Sequence, residues 1–438
     1  MPSAPLSAPA AASSDGRPPA PTRRAIRGGI MGNYVDQFDI FLPVIALAPV
    51  SAQLFGDHDI VRNAGLIFVA TLLGRPLGAM IFGPIADRAG RVLITQVALA
   101  GICLTTLLIA LVPGHEVLGA GTFLAVLALR LLGGIFLGGE YTSAIPLAME
   151  WARPRSRGRL SGMIMAMSPL ANASIAAVTF LLLLLLDDSE YAAWGWRLPF
   201  LLGAALAAAM LIYYRLMVEE APQRRRPARS AHPLARLVRG SSRRSLWQVL
   251  VLMTGLWLLT YMAVPTLTAQ LSRMPQLEPQ TVSLVMLGAT AVSALAMAGA
   301  GALSSRIGRR RFFVGFGLLC AAVSPVILLA LLSGALGAGI GTVLLLAAAL
   351  QVTTVTGYGP VGAYLTERFP DEIRASGYGV AYSISIVLPA LYPYYLPPLQ
   401  QLLGPHAAIA AVLAVGGLLV AFGGLLGPEP DRSGPLPD

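Results

Sequence analysis

The chain has 438 residues, of which 56% are hydrophobic and only 12% charged, with a mean hydropathy of +0.70. A soluble domain carries about 25% charged residues, so this balance excludes a water-soluble globular protein. The formal charge of +10 comes from 31 basic residues, all arginine and clustered between apolar runs, a pattern of membrane-flanking loops that argues against a nucleic-acid-binding face.

Residues 1–27 are rich in Pro, Ala and Ser and lack the basic-then-apolar order of a signal peptide, so they read as a disordered cytoplasmic tail. Gly, Pro and charge then punctuate the chain into apolar runs long enough to cross a ~30 Å hydrocarbon core. Spans are predicted at 28–50, 60–84, 92–112, 117–149, 160–186 and 197–218, forming a first six-helix half over 28–218. An arginine-rich linker, 219–245, leads to a second half, 246–427. Its spans are predicted at 246–271, 281–303, 312–333, 337–366, 374–400 and 407–427, followed by a tail, 428–438. Only helices satisfy their own backbone groups inside one such segment. The expected fold is an all-α membrane protein of twelve transmembrane helices in two pseudo-repeats.

Arginine placement sets the expected orientation. The tails and alternate loops hold nearly all of it, whereas the opposite loops and span ends hold only Arg62, Arg197 and Arg273. Positive residues are retained on the cytoplasmic side, so both termini are expected there. Gly83-Pro-Ile-Ala-Asp-Arg-Ala-Gly-Arg91 repeats as Gly301-Ala-Leu-Ser-Ser-Arg-Ile-Gly-Arg309, and Glu150 with Arg157 repeats as Glu367 with Arg374. Two motifs at nearly one offset make an internal repeat, and parallel repeats of this kind place a substrate site between them. Cys103 and Cys320 give no disulfide or metal framework. No nucleophile–base constellation is visible, so an enzyme is not expected, nor is a cofactor; a proton gradient would supply the energy.

At these residues the sequence resembles the major facilitator superfamily, and within it the metabolite:proton symporter branch. The resemblance rests on Gly32-Asn33-x-x-Asp36-x-Phe38-Asp39, on Arg75-Pro-Leu-Gly78 with the loop Gly83 to Arg91, and on Arg130-x-x-x-Gly134-x-x-x-Gly138-Gly139-Glu140. Arg215-x-x-x-Glu219-Glu220-x-Pro222 and Pro370-x-x-Ile373-Arg374-x-Ser376-Gly377 complete it. It implies symport of small organic acids or zwitterions with protons. Gln37 stands where an aromatic is usual, and Ser305 where the second loop copy usually has an acid, so only the first copy is expected to form the full acid–arginine latch.

Five ionisable residues fall inside spans, all in the first half: Asp36, Asp39, Arg75, Arg130 and Glu140. Each costs roughly 2.5–3.5 kcal/mol at the bilayer centre on insertion scales. Asp36, Asp39 and Glu140 are therefore candidates for the coupled proton, and Arg75 and Arg130 for a substrate carboxylate; the alternative is pairing that only holds helices together. The second half offers Trp257, Tyr261, Gln351, Tyr358 and Tyr382 as cavity-lining candidates, or as ordinary packing residues. Asp87, Arg88, Arg91, Glu150, Arg157, Arg306, Arg309, Glu367 and Arg374 recur at inner helix ends and read as a cytoplasmic gate. The expected protein is a monomeric inner-membrane importer whose partners are a small molecule, protons and the bilayer. A proton-coupled exporter and a transport-inactive sensor on the same fold are the alternatives.

Overall fold

The computed structural model describes residues 18–55, 60–221, 233–240, 242–334 and 339–430, and these form helices without a strand. The first half comprises α1 (Ala20–Ala46), α2 (Ile60–Ala89), α3 (Arg91–Ala110), α4 (Ala120–Trp151), α5 (Pro154–Leu185) and α6 (Asp188–Met217). The second comprises α7 (Arg243–Leu271), α8 (Pro279–Ile307), α9 (Arg309–Ser333), α10 (Ile340–Arg368), α11 (Asp371–Ala390 continued by Tyr392–Leu403) and α12 (Pro405–Leu426). Ten of these are individually apolar enough to span a bilayer. α11 is a broken span, bent by 45° where Pro389 and Pro393 flank Leu391. α1 completes the twelve; its acids, Asn33, Gln37 and arginines place it outside that apolar set.

The ends of the chain depart from expectation. Residues 20–27, assigned to a disordered tail, are the first turns of α1, held by burial of Thr22 and Ala25 and by the Tyr213 hydroxyl, which donates to the Arg24 carbonyl at 3.0 Å. Residues 1–17 of that tail lie outside the described residues. Within the linker, Pro233–Arg239 is a short helix with Leu237 fully buried, and α7 starts at Arg243; 222–232, including Pro222, and 241 lie outside the description. Of the last tail, 428–430 are described and 431–438 are not. Glu429 is tied down: its carboxylate accepts from the Arg309 and Arg310 amides at 2.6 and 3.0 Å.

Without a hydrophobic effect between helices in lipid, close approach depends on small residues. α2 and α4 meet through glycines on both sides. A Cβ on Gly74 would lie 2.4 Å from the Leu131 oxygen, one on Gly78 2.0 Å from the Ile135 oxygen, and one on Gly138 2.3 Å from the Arg75 oxygen. That contact fixes Arg75 and Glu140 on adjoining backbones. Gly78→Val must push the helices apart and is expected to lower stability by about 3 kcal/mol, the upper part of the usual overpacking range. Gly315→Ala on α9, where a Cβ meets open space, serves as the control and should leave the melting temperature in detergent unchanged or slightly raised.

The seam between the halves is also glycine-lined. Gly158 of α5 and Gly301 of α8 each have room for no Cβ, which would stand 2.3 Å from the other's carbonyl oxygen. Beside them the Ser161 hydroxyl donates to the Gly359 carbonyl at 2.6 Å and accepts from the Ala363 amide, joining α5 to α10.

Candidate functional site

All five intramembrane charges are buried, and they separate into two groups. Asp39 and Arg130 form a closed pair. The guanidinium donates to both Asp39 carboxylate oxygens at 3.0 and 3.3 Å and to the Asp39 carbonyl at 2.9 Å, while the Thr106 hydroxyl donates to the same carboxylate. This joins α1, α3 and α4 within the first half, with Phe200 of α6 lying 5.8 Å from the guanidinium carbon. Bidentate geometry with further hydrogen bonds is what makes a buried ion pair stable.

Asp36 and Arg75 are held more loosely. Their single contact is 3.4 Å, and Gln37 donates to the same Asp36 oxygen at 3.2 Å while accepting from Ser168 of α5 at 2.7 Å. The other Asp36 oxygen, Arg75 Nε and both Glu140 oxygens have no hydrogen-bond partner among the described residues. Buried polar groups are normally satisfied, and the exceptions mark functional sites. Asp36 and Arg75 are also the electrostatic neighbours of Glu140. Two carboxyls thus share one guanidinium, so charge balance is reached with one proton on the acid pair.

Arg75 reaches the junction of the halves. Its guanidinium lies 5.0 Å from the Tyr141 ring of α4 and 5.7 Å from the Tyr382 ring of α11, within cation–π range. Tyr141 stacks on Tyr382 across the interface at 4.1 Å, and Tyr378 lies against both rings. From Tyr382 the cluster continues to Trp257, 5.3 Å away, which meets Tyr358 and Tyr261. Four of the second-half candidates, Trp257, Tyr261, Tyr358 and Tyr382, therefore come together beside Arg75. Gln351 lies two turns before Tyr358 on α10, its oxygen accepting from Thr290 and Ser293 of α8 at 3.2 and 3.3 Å. Arg130, committed to Asp39, is not part of the aromatic cluster.

At the arginine-rich end a network closes the bundle. Arg91 pairs with Glu150, and with Asp371 of the other half at 3.4 Å; Arg374 pairs with Glu150 and with Asp371, both at 2.8 Å. Asp87 accepts from the Ala375 and Ser376 amides, each at 2.9 Å, and from the Ser376 hydroxyl at 2.6 Å, so an acid of α2 caps the N-terminal turn of α11. In the second copy Arg309 pairs with Glu367 at 3.1 Å and donates to Ser304 and Ser305. Ser305 lies where α5 approaches most closely: a Cβ on Gly158 would be 2.0 Å from its hydroxyl, leaving no room for a longer acid. Arg157 is buried and donates to the Met149 carbonyl at 3.4 Å, whereas Arg88 and Arg306 are exposed.

Several contributors escaped the sequence reading. Tyr141, one of four aromatics scattered along α4, has no periodic signature. Asp371 falls at an unassigned position of the Pro370-x-x-Ile373-Arg374 motif. Glu220 and Glu429 cap α3 and α9 in equivalent ways, Glu220 accepting from the Val92 amide at 2.7 Å, each after a glycine at positive φ (Gly90 at 115°, Gly308 at 109°). The repeat of Gly90 in Gly308 was the signal that could have found the second cap.

The Major Facilitator Superfamily profile matches residues 31–278 and again 249–438. The chain is 30% identical over 373 residues to the alpha-ketoglutarate permease of Escherichia coli strain K12, covering 83% of this chain and 84% of that protein. It is 28% identical over 370 residues to the citrate-proton symporter of Klebsiella pneumoniae, covering 81% and 80%. Among solved structures, the proton:xylose symporter XylE bound to 6-bromo-6-deoxy-D-glucose superposes with a TM-score of 0.72 at 18% identity, over 93% of this chain and 94% of that one. The chain belongs to the Major Facilitator Superfamily: it is a multi-pass membrane transporter with the twelve-helix fold.

Proposed function

We propose that the protein imports a small organic acid or zwitterionic metabolite together with protons, by alternating access of the two halves around Arg75. The carrying observation is that Arg75 sits at the junction of the halves, singly paired to Asp36 and faced by aromatic rings from both halves, with an unpartnered Glu140 beside it. A substrate carboxylate takes the open guanidinium face, and the rings of Tyr141, Tyr382 and Trp257 pack the remainder of the molecule. When the carboxylate engages Arg75, the acid pair loses its counter-charge and takes up a proton, which ties substrate binding to protonation. Asp39 and Arg130 hold α1, α3 and α4 in register for this exchange. The names of the alpha-ketoglutarate permease and the citrate-proton symporter support carboxylate and proton as the transported pair.

The arginine-rich end faces the cytoplasm in this reading, with both termini on that side of a bacterial inner membrane. Asp87, Arg91, Glu150, Asp371 and Arg374 then form the inner gate, and the described conformation is closed there. Removing one partner from a buried ionic network costs about 3–5 kcal/mol. Asp87→Asn is accordingly expected to shift the resting population toward the inward-open form, read as increased labelling of single cysteines placed below the gate. Unchanged labelling would remove the gate.

The function is tested by uptake into proteoliposomes with an imposed pH gradient, using mono-, di- and tricarboxylates and betaines. Accumulation that collapses with a protonophore is the expected result; no proton-dependent flux of any of them would sink the proposal.

A further inference from the structure

Glu140 lies near a second buried group that the substrate site does not use. The Tyr214 hydroxyl, in the last turns of α6, is fully buried and has no hydrogen-bond partner among the described residues. Both groups pack against the same stretch of α1. A Cβ built on Gly32 would stand 2.7 Å from Glu140 Oε1 and 3.8 Å from Tyr214 Oη, and one on Gly28, a turn nearer the arginine-rich end, would stand 3.1 Å from the same hydroxyl. The carboxyl and the hydroxyl are not hydrogen-bonded to each other, and both pack against α1 where glycine leaves room for them. Neighbouring buried polar groups that are otherwise unsatisfied are commonly bridged by a structural water.

We propose that Glu140 and Tyr214 share a bound water and form a proton outlet running inside the first half, from the substrate site toward the arginine-rich end. This deepens, and rests on, the proton-symport reading. In the step, the Glu140 carboxyl O–H bond breaks toward the water, the water passes one of its protons to the Tyr214 oxygen, and Tyr214, buried while the inner gate is closed, releases its own proton to solvent once that end opens. One proton crosses, and the tyrosine and water end as they began. Substrate moves between the halves while the proton leaves through α1, α4 and α6, so the two release routes are separate. Tyr214 is a positioning and relay residue; Glu140 is the group facing the exchanged charge. The titratable and charged groups around Glu140 are Asp36 of α1, Arg75 of α2, Tyr214 of α6 and Tyr378 of α11.

The test compares Tyr214→Phe, Gly32→Ala and Glu140→Gln in the full-length protein reconstituted in liposomes. Tyr214→Phe keeps the ring and removes only the hydroxyl. It is expected to slow pH-driven uptake about tenfold or more, as loss of a proton-transfer group does, while exchange of substrate at equal pH stays near the unmodified rate. Gly32→Ala, whose Cβ would meet Glu140 Oε1 at 2.7 Å, should also slow pH-driven uptake, by pushing the carboxyl away from the water. Infrared difference spectra give a readout independent of transport: a protonated-carboxyl band lost in Glu140→Gln should move to higher frequency in Tyr214→Phe, because its hydrogen bond to water is gone. If Glu140→Gln abolishes accumulation but Tyr214→Phe neither slows it selectively nor moves the band, the outlet is wrong and the symport reading stands. If Glu140→Gln accumulates normally, both the outlet and the assignment of Glu140 fall.

Discussion

Arg75→Gln is expected to weaken substrate binding by about 10- to 150-fold, the equivalent of the roughly 1.5–3 kcal/mol carried by hydrogen bonds to a charged group. The same change strands Asp36, whose only guanidinium partner among the described residues is Arg75, so the single variant is also destabilised, by about 3–5 kcal/mol. The two effects separate in the double variant Asp36→Asn/Arg75→Gln, which removes both charges. Its melting temperature in detergent should recover much of the loss, while affinity, measured by titration calorimetry with whichever carboxylate the uptake screen identifies, stays weak. Affinity that returns with stability would mean Arg75 only holds α1 to α2. Arg130→Gln gives the contrasting pattern: the closed pair with Asp39 ties three helices together, so stability falls and the affinity of the surviving folded fraction does not.

Glu140→Gln should remove coupling and leave binding. For each coupled proton, a pH step of one unit can drive about tenfold accumulation, since each 1.4 kcal/mol is a factor of ten. In the Gln variant that accumulation should fall to equilibrium with the outside concentration, while counterflow exchange persists because no net proton need cross. Gln is close in size to Glu, and neither Glu140 oxygen has a partner to lose among the described residues, so the fold should tolerate it. Persistent accumulation in this variant would transfer the proton to Asp36 or Asp39, which Asp36→Asn and Asp39→Asn then distinguish.

The number of spans and the repeat could be read from the chain because both depend on local composition: apolar length, glycine and arginine placement. The five buried charges were likewise visible, since an ionisable residue within an apolar run stands out whatever it touches. Their pairing was not. Asp36 and Asp39 are three residues apart, a spacing that puts side chains on one side of a helix, but Asp36 turns to α2 and Asp39 to α3 and α4. That division depends on the rotation of α1, which its own Gly28, Gly29 and Gly32 set by packing against α4, α5 and α6, and which no single helix encodes. Arg130 read as a second substrate arginine for the same reason, and only the packed structure assigns its hydrogen bonds to Asp39. Glu429 was read as part of a tail because its partners, the free amides at the start of α9, exist only once that helix has formed.

The unequal sharing of buried charge has a consequence for biogenesis. α1 emerges from the ribosome before α2 and α4, carrying two acids and two side-chain amides in its middle turns, and the guanidiniums that pair with those acids, Arg75 and Arg130, arrive only on the later helices. Leaving the translocon alone, it would bring unneutralised carboxylates into lipid. Its stable integration therefore waits for α2 and α4, whereas the helices of the second half, free of such a debt, can enter the bilayer in turn.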